Sequence, residues 1–229
     1  MTIFLDAVGT LFDVRGSVGE AYAVLASRWG VKVDATVLNK AFFNSFKTSP
    51  AMAFPEAELR EIPQLEYDWW EAIAHTTFQT AGLYDRFSDF SAFFAELYDY
   101  FATAEPWYLY DDVKPALEQW RNKGETLAIV SNFDSRIYRV VEALELADYF
   151  SNVTISTEAG AAKPNPKIFT TALRINACLP EEVLHIGDSF SADYRGALGV
   201  GIKAIWLNRN GDKAPADDVE QRVSLLDCL

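Results

Sequence analysis

Several short apolar runs in this 229-residue chain end on residues that could do chemistry. Thr2 to Leu5 runs into Asp6, Thr126 to Val130 into Ser131-Asn132, and Val183 to Ile186 into Gly187-Asp188. A weaker run, Asn152 to Ile155, is followed across a loop by Lys163, and Asp193 lies just beyond Asp188. Together they make a set of two or three carboxylates, one hydroxyl and one ammonium. Carboxylates that converge without enough basic partners bind a hard cation, and an all-oxygen set with a few waters suits Mg²⁺. Such a cation, with Lys163, offsets the local negative charge and attracts a phosphate. A carboxylate held beside it can act as a nucleophile. Ser131 and the backbone N–H groups of the Asp6 turn would donate to a transferring oxygen. Each residue alone has an ordinary reading: Asp6 as a turn residue, Ser131-Asn132 as a helix cap, Lys163-Pro164 as a surface loop. Their recurrence at the ends of successive strands favours the chemical reading, because ligands of open parallel sheets bind beyond the carboxyl ends of the strands.

The elements that must position these residues follow from the pattern. Short apolar runs bounded by turn residues read as buried strands, and Ile202 to Trp206 is a further one. Helical patterns at Val113 to Lys123, Arg136 to Leu146 and Pro166 to Ile175 alternate with them, which is the signature of a parallel α/β sheet. From about Val14 to Trp107 no convincing strand is seen. That stretch carries helical patterns at Ser17 to Trp29, Asp34 to Lys47, Leu65 to Ala81 and Ser88 to Thr103, and most of the aromatic residues. The expected fold is a Rossmann-like parallel α/β core, residues 1–13 and 108–229, with an inserted all-helical domain at 14–107.

Composition narrows the partners. A formal net charge of −13 repels nucleic acid and anionic lipid, so neither is expected. No apolar stretch approaches the roughly 20 residues of a membrane span. Asp6 interrupts the first apolar run, so no signal pattern is read. Cys178 and Cys228 make no metal or redox spacing and fit a reducing compartment. A cytoplasmic protein is expected, a monomer or a homodimer, acting on a small molecule.

Taken in order, four motifs resemble the haloacid dehalogenase-like hydrolase superfamily: Asp6-Ala7-Val8-Gly9-Thr10-Leu11-Phe12, Ser131-Asn132, Lys163-Pro164-Asn165-Pro166-Lys167-Ile168-Phe169, and Gly187-Asp188-Ser189 with Asp193. Gly19 to Ala23, Trp69-Trp70, Ser131 to Asp134, Ser156 to Gly160 and Asp188 to Gly196 resemble one subgroup of it. The resemblance implies that Asp6 is a nucleophile and Mg²⁺ ligand, with the Val8 carbonyl and Asp188 as further ligands and Asp193 a ligand directly or through water. It implies that Ser131 and Lys163 hold the transferred group beside Asn132, with Lys163 also orienting Asp6. The helical insertion would be a cap that closes over the site and selects a small phosphorylated substrate.

One position departs from the superfamily's phosphatases. Two residues after the nucleophile they usually carry a second Asp, which protonates the leaving alcohol and later activates water; here it is Val8. General acid–base help is worth about 10²- to 10⁴-fold. Three readings stay open. One is an Mg²⁺-dependent phosphate hydrolase, weak or restricted to leaving groups of low pKa. Another is a binder that keeps the fold without the chemistry. The third is a 2-haloacid dehalogenase, whose halide leaves without a proton; Lys40 is then the nearest candidate clamp, although lysine is poorer than arginine at gripping a carboxylate, and Gly187-Asp188 counts against it. His75 and His185 read as core or cap histidines and Asp134 as a helix cap. Trp69-Trp70 and Phe93-Phe94 read as cap core with at most one of each pair facing a cleft. The acidic tail at Asp217, Asp218 and Glu220 reads as solvated surface.

Overall fold

The computed structural model describes residues 1–229. In chain order, β1 (Thr2–Leu5) and β2 (Phe12–Val14) precede four helices, α1 (Val18–Arg28), α2 (Ala35–Thr48), α3 (Ile62–Thr80) and α4 (Phe90–Tyr100). There follow β3 (Trp107–Leu109), α5 (Val113–Asn122), β4 (Thr126–Ser131), α6 (Ile137–Ala143), β5 (Asn152–Ile155), α7 (Ser156–Ala159), α8 (Pro166–Ile175), β6 (Val183–Gly187), β7 (Lys203–Leu207) and β8 (Gln221–Arg222). Contacts divide the chain into two compact units. Met1–Asp13, Met52–Leu59 and Leu109–Leu229 form the first; Val14–Ala51 and Arg60–Tyr108 form the second.

The first unit is built on a six-stranded sheet in the order β5-β4-β1-β6-β7-β8, with every pairing parallel. The chain moves outward from β1 to β4 and β5, then returns to β6 on the other side of β1. β1 therefore lies at a switch point, where a parallel sheet opens a crevice beyond its strand ends. Covering helices bury both faces, which is why β1 is a continuous apolar run rather than an alternating one; Ile3, Phe4 and Leu5 are wholly buried. Phe4, Val130, Ile168, Phe169, Ala172 and Trp206 are among the residues of its core.

The second unit is all-helical apart from the chain's crossings into and out of it. Ser17, Asp34 and Asp89 cap α1, α2 and α4 through their side-chain oxygens. A side chain at Gly19 would run into Ala35 and Asn39, so glycine lets α1 and α2 approach closely. The core here is aromatic: Phe78 stacks on Tyr22 and meets Phe87 and Phe93 edge-on, with ring centroids 5.1 to 6.0 Å apart. Phe93 and Phe94 are both buried in it, and Trp69 and Trp70 both pack on Phe46.

Several expectations need adjustment. α3 starts at Ile62 rather than Leu65, because Pro63 sits in the first turn, where its missing N–H costs nothing. α6 ends at Ala143, since Leu146 N–H already turns back to Val141 and Glu145 takes a left-handed φ of 58°. Short strands β2 and β3 flank the insertion where none was read. The tail is not only solvated surface: Gln221 and Arg222 form the sixth strand, although Asp217, Asp218 and Glu220 keep exposed side chains. Asp134 lies ahead of α6, which begins at Ile137: fully buried, it caps the turn leading in by accepting the Arg136 N–H at 2.9 Å, and it also grips the Arg136 guanidinium at 2.6 and 2.8 Å.

Candidate active site

Sheet register assembles the site. Leu5 lies opposite Ile129 and Ile186, so Asp6 leaves the sheet level with Val130 and Gly187. Ser131 ends β4 one residue further on, buried at the same edge. The Asp6 turn is a tight loop in which the N–H groups of Thr10, Leu11 and Phe12 all point to the Ala7 carbonyl. Gly9 has a φ of 83°, and a side chain there would strike the Asp188 carboxylate, so this turn requires glycine twice over. Gly187 likewise leaves room for the carboxyl of Asp193. Asp193 sits in a π-helical turn, Phe190–Arg195, a distortion common at functional sites. Ser189 caps that turn, and its own N–H donates to Asp193 Oδ2 at 3.0 Å.

Lys163 is the hub. Its buried ammonium donates to Asp6 Oδ1 at 2.6 Å, Asp193 Oδ1 at 2.6 Å and the Val130 carbonyl at 2.8 Å, which uses all three of its protons. The bond from Lys163 to Pro164 is cis. Asn132 accepts the Lys163 N–H at 2.6 Å and donates to the Lys163 carbonyl at 2.9 Å. Its side chain is thus engaged in holding the lysine loop. Ligand oxygens of Asp6, Asp188 and Asp193 all lie within 4.8 Å of one another. Lys40 is an exposed residue of α2 in the second unit.

The electrostatics show a shortage of positive charge. Burial raises the Asp6 carboxyl; Lys163 pulls it down and Asp193 pushes it up again, and it ends above its ordinary value. Asp188 is exposed as a residue, yet its carboxyl end is surrounded by protein and by two other acids; burial first, then the charges of Asp6 and Asp193, push it up to about 8. Asp193 goes the other way: burial raises it, but the Lys163 charge and the His185 hydrogen bond outweigh that and hold it low. Lys163 is disfavoured by burial and held charged by Asp193 and Asp6. A divalent cation supplies the charge that three carboxylates and one ammonium lack, and the donor set is all hard oxygen. The residues present therefore fit Mg²⁺.

His185, which the apolar strand pattern presents as an ordinary core histidine, also belongs to this network. It is wholly buried on β6, with Phe169 edge-on to its ring, and its Nε2 lies 2.9 Å from Asp193 Oδ1 while Nδ1 has no partner. The apolar flanks of the strand conceal this; the only signal is its place two residues before Gly187. Arg209 was also missed: its guanidinium donates to the Thr10 carbonyl at 2.7 Å, directly on the Asp6 loop.

An open parallel sheet whose strand ends gather a lysine-braced carboxylate cluster defines a hydrolase-type α/β core with a helical insertion. The chain belongs to the haloacid dehalogenase-like hydrolases, whose family model matches residues 1–201. It is 34% identical over 197 residues to haloacid dehalogenase-like hydrolase domain-containing protein 3 of Bos taurus, covering 86% of this chain and 77% of that protein. It is also 34% identical to glyceraldehyde 3-phosphate phosphatase of Methanopyrus kandleri over 130 residues, 52% of this chain and 56% of that one. Among solved structures it resembles the magnesium-bound HAD-hydrolase YfnB of Bacillus subtilis, with a TM-score of 0.67 at 18% identity over 99% of this chain and 96% of that one. No helix is long and apolar enough to cross a membrane.

Proposed function

We propose that the protein hydrolyses a small phosphorylated metabolite with a good leaving group, by transient transfer of the phosphoryl group to Asp6. The observation that carries this reading is the Lys163 ammonium 2.6 Å from both Asp6 and Asp193, with Asp188 alongside. Lys163 fixes Asp6 Oδ1 and leaves Oδ2 as the attacking atom. Attack forms the Oδ2–phosphorus bond as the phosphorus–oxygen bond to the leaving group breaks. Water then attacks the phosphorus as the bond between phosphorus and Asp6 Oδ2 breaks; Asp6 returns to a carboxylate, inorganic phosphate departs with one proton of that water on its new hydroxyl, and the other proton passes to solvent. Ser131 binds the phosphoryl oxygens, while Asn132 holds the lysine loop in place beside it. Asp6, Asp188, Asp193 and the Val8 carbonyl are proposed to hold Mg²⁺, which when bound supplies positive charge to those oxygens. The magnesium-bound neighbour and the relative named as a phosphatase support this assignment. The helical second unit, Val14–Ala51 with Arg60–Tyr108 and without Met52–Leu59, is proposed as the cap that selects the substrate.

Val8 sets the substrate class. An apolar side chain gives no proton to the departing oxygen, so an alkoxide would leave slowly. Acyl and aryl phosphates leave as weak bases and need no such help. The test is turnover of acetyl phosphate and p-nitrophenyl phosphate, with and without Mg²⁺. Turnover is expected to require the metal and to vanish in Asp6→Asn. Val8 also favours a second reading, a binder that has lost the chemistry; absence of turnover across acyl, aryl and alkyl phosphates would establish it in place of the first. Metal-free chloride release from 2-chloropropionate would identify a dehalogenase instead.

A further inference from the structure

The Asp6 loop is held from outside the familiar motifs. Arg209 follows β7, beyond the residues 1–201 that match the family model. Its guanidinium makes three kinds of contact at once. Nη1 and Nη2 donate to the two oxygens of Asp112 at 3.0 and 3.1 Å, Nη2 also donates to the Thr10 carbonyl at 2.7 Å, and the plane lies over the Tyr110 ring at 3.9 Å. The buried Nε has no partner, so the other contacts alone set the orientation. Asp112 is fixed in turn by the C-terminal segment: Ser224 Oγ and the Leu225 N–H each donate to its Oδ2 at 2.8 Å. Thr10 is wholly buried, and its hydroxyl accepts the Asp188 N–H at 3.1 Å. One carbonyl contact thus reaches both the loop of Asp6 and the backbone of Asp188.

We propose that Arg209 is a positioning residue for the Asp6 loop, and that Asp112, Ser224 and Leu225 act in the reaction by orienting it. A purely structural staple between the tail and α5 needs only the Arg209–Asp112 pair. The third contact, to the loop that carries Asp6, is what a staple leaves unexplained. Lysine cannot take Arg209's place, because a point ammonium has neither the planar fork for Asp112 nor the flat face for Tyr110. The kinetic part of this inference rests on the phosphohydrolase reading; the geometric part does not.

The test compares wild type, Arg209→Lys and Ser224→Ala by amide hydrogen exchange and by Mg²⁺-dependent turnover of p-nitrophenyl phosphate. Circular dichroism first confirms that each variant is folded. In Arg209→Lys, exchange across residues 6–12 should quicken on the order of tenfold while β4, Thr126–Ser131, keeps its protection. Ser224→Ala should move the same segment in the same direction by less. Turnover should show kcat lowered on the order of tenfold with KM within about twofold, since the loop acts on the reacting carboxylate rather than on substrate uptake. Unchanged exchange at 6–12 overturns the proposal. So does equal quickening in β4, which would mean general loosening, and so does a rise in KM with kcat intact. If wild type turns over nothing, the proposed function falls, and the exchange comparison still decides whether Arg209 holds the loop.

Discussion

At the scale of single residues, the proposed chemistry turns on two residues of one loop. Asp6 lies against an ammonium and beside two carboxylates, in surroundings where every charge is felt strongly. Val8, two residues on, carries no titratable group. Replacing Val8 by Asp is therefore expected to raise turnover of alkyl phosphates by about 10²-fold or more, with much less effect on acetyl phosphate. An equal change for both substrates would show that leaving-group protonation is not what limits turnover. Asp6, Ser131 and Asp188 were legible because each stands at the end of an apolar run, whereas Lys163 and Asp193 were legible only from their order behind those runs. His185 was not, since nothing in Val183-Leu184-His185-Ile186 says which buried side chain lies next to Asp193.

At the scale of elements, the start of α5, the loop after β7 and the tail meet at Asp112. Burial pushes this carboxyl up, but hydrogen bonds from Arg209, Leu225 and Ser224, with the Arg209 charge, outweigh it, and it ends below the ordinary value of 3.8. A carboxyl depressed in the folded state stabilises that state above its unfolded pKa and loses this contribution as pH falls through the folded one. Asp112→Asn should thus lower unfolding free energy by about 1–3 kcal/mol at neutral pH. The gap to wild type should close progressively below about pH 4. Urea titrations at a series of pH values measure it, and a gap that persists undiminished at strongly acid pH would refute the assignment. The strand that completes this corner, Gln221–Arg222, was missed because two residues after an acidic stretch carry no apolar run to announce them.

At the scale of the whole molecule, two units carry separate cores, one aliphatic-rich around the sheet and one of packed rings. Phe78 is wholly buried among four aromatic neighbours of the second. Phe78→Ala should cost that unit about 3–5 kcal/mol, read as an earlier urea transition in tryptophan fluorescence. A change under about 1 kcal/mol would mean that the ring core refills the cavity. The acidic cluster belongs to a chain of net charge −13, so a cation bound there should stabilise the fold. Saturating Mg²⁺ is expected to raise the melting temperature on the order of 5 °C, reversibly with chelator. Asp188→Asn should lose most of that shift; an equal shift in the variant would place the metal elsewhere.

What the sequence alone determined is what depends on local pattern and order. Apolar runs ending on Asp6, Ser131, Asp188 and, across a loop, Lys163 define parallel strands with their chemistry at one edge, because a parallel sheet aligns its carboxyl ends wherever its strands occur in the chain. The helical insertion was likewise legible from periodicity. Only the tertiary structure decided which charges touch: that Lys163 spends its protons on Asp6, Asp193 and Val130, that Asn132 is committed to the lysine loop, and that His185 and Arg209 belong to the network. Those contacts join residues up to 199 positions apart, and hydrogen bonds depend on tenths of an ångström that no spacing along the chain encodes.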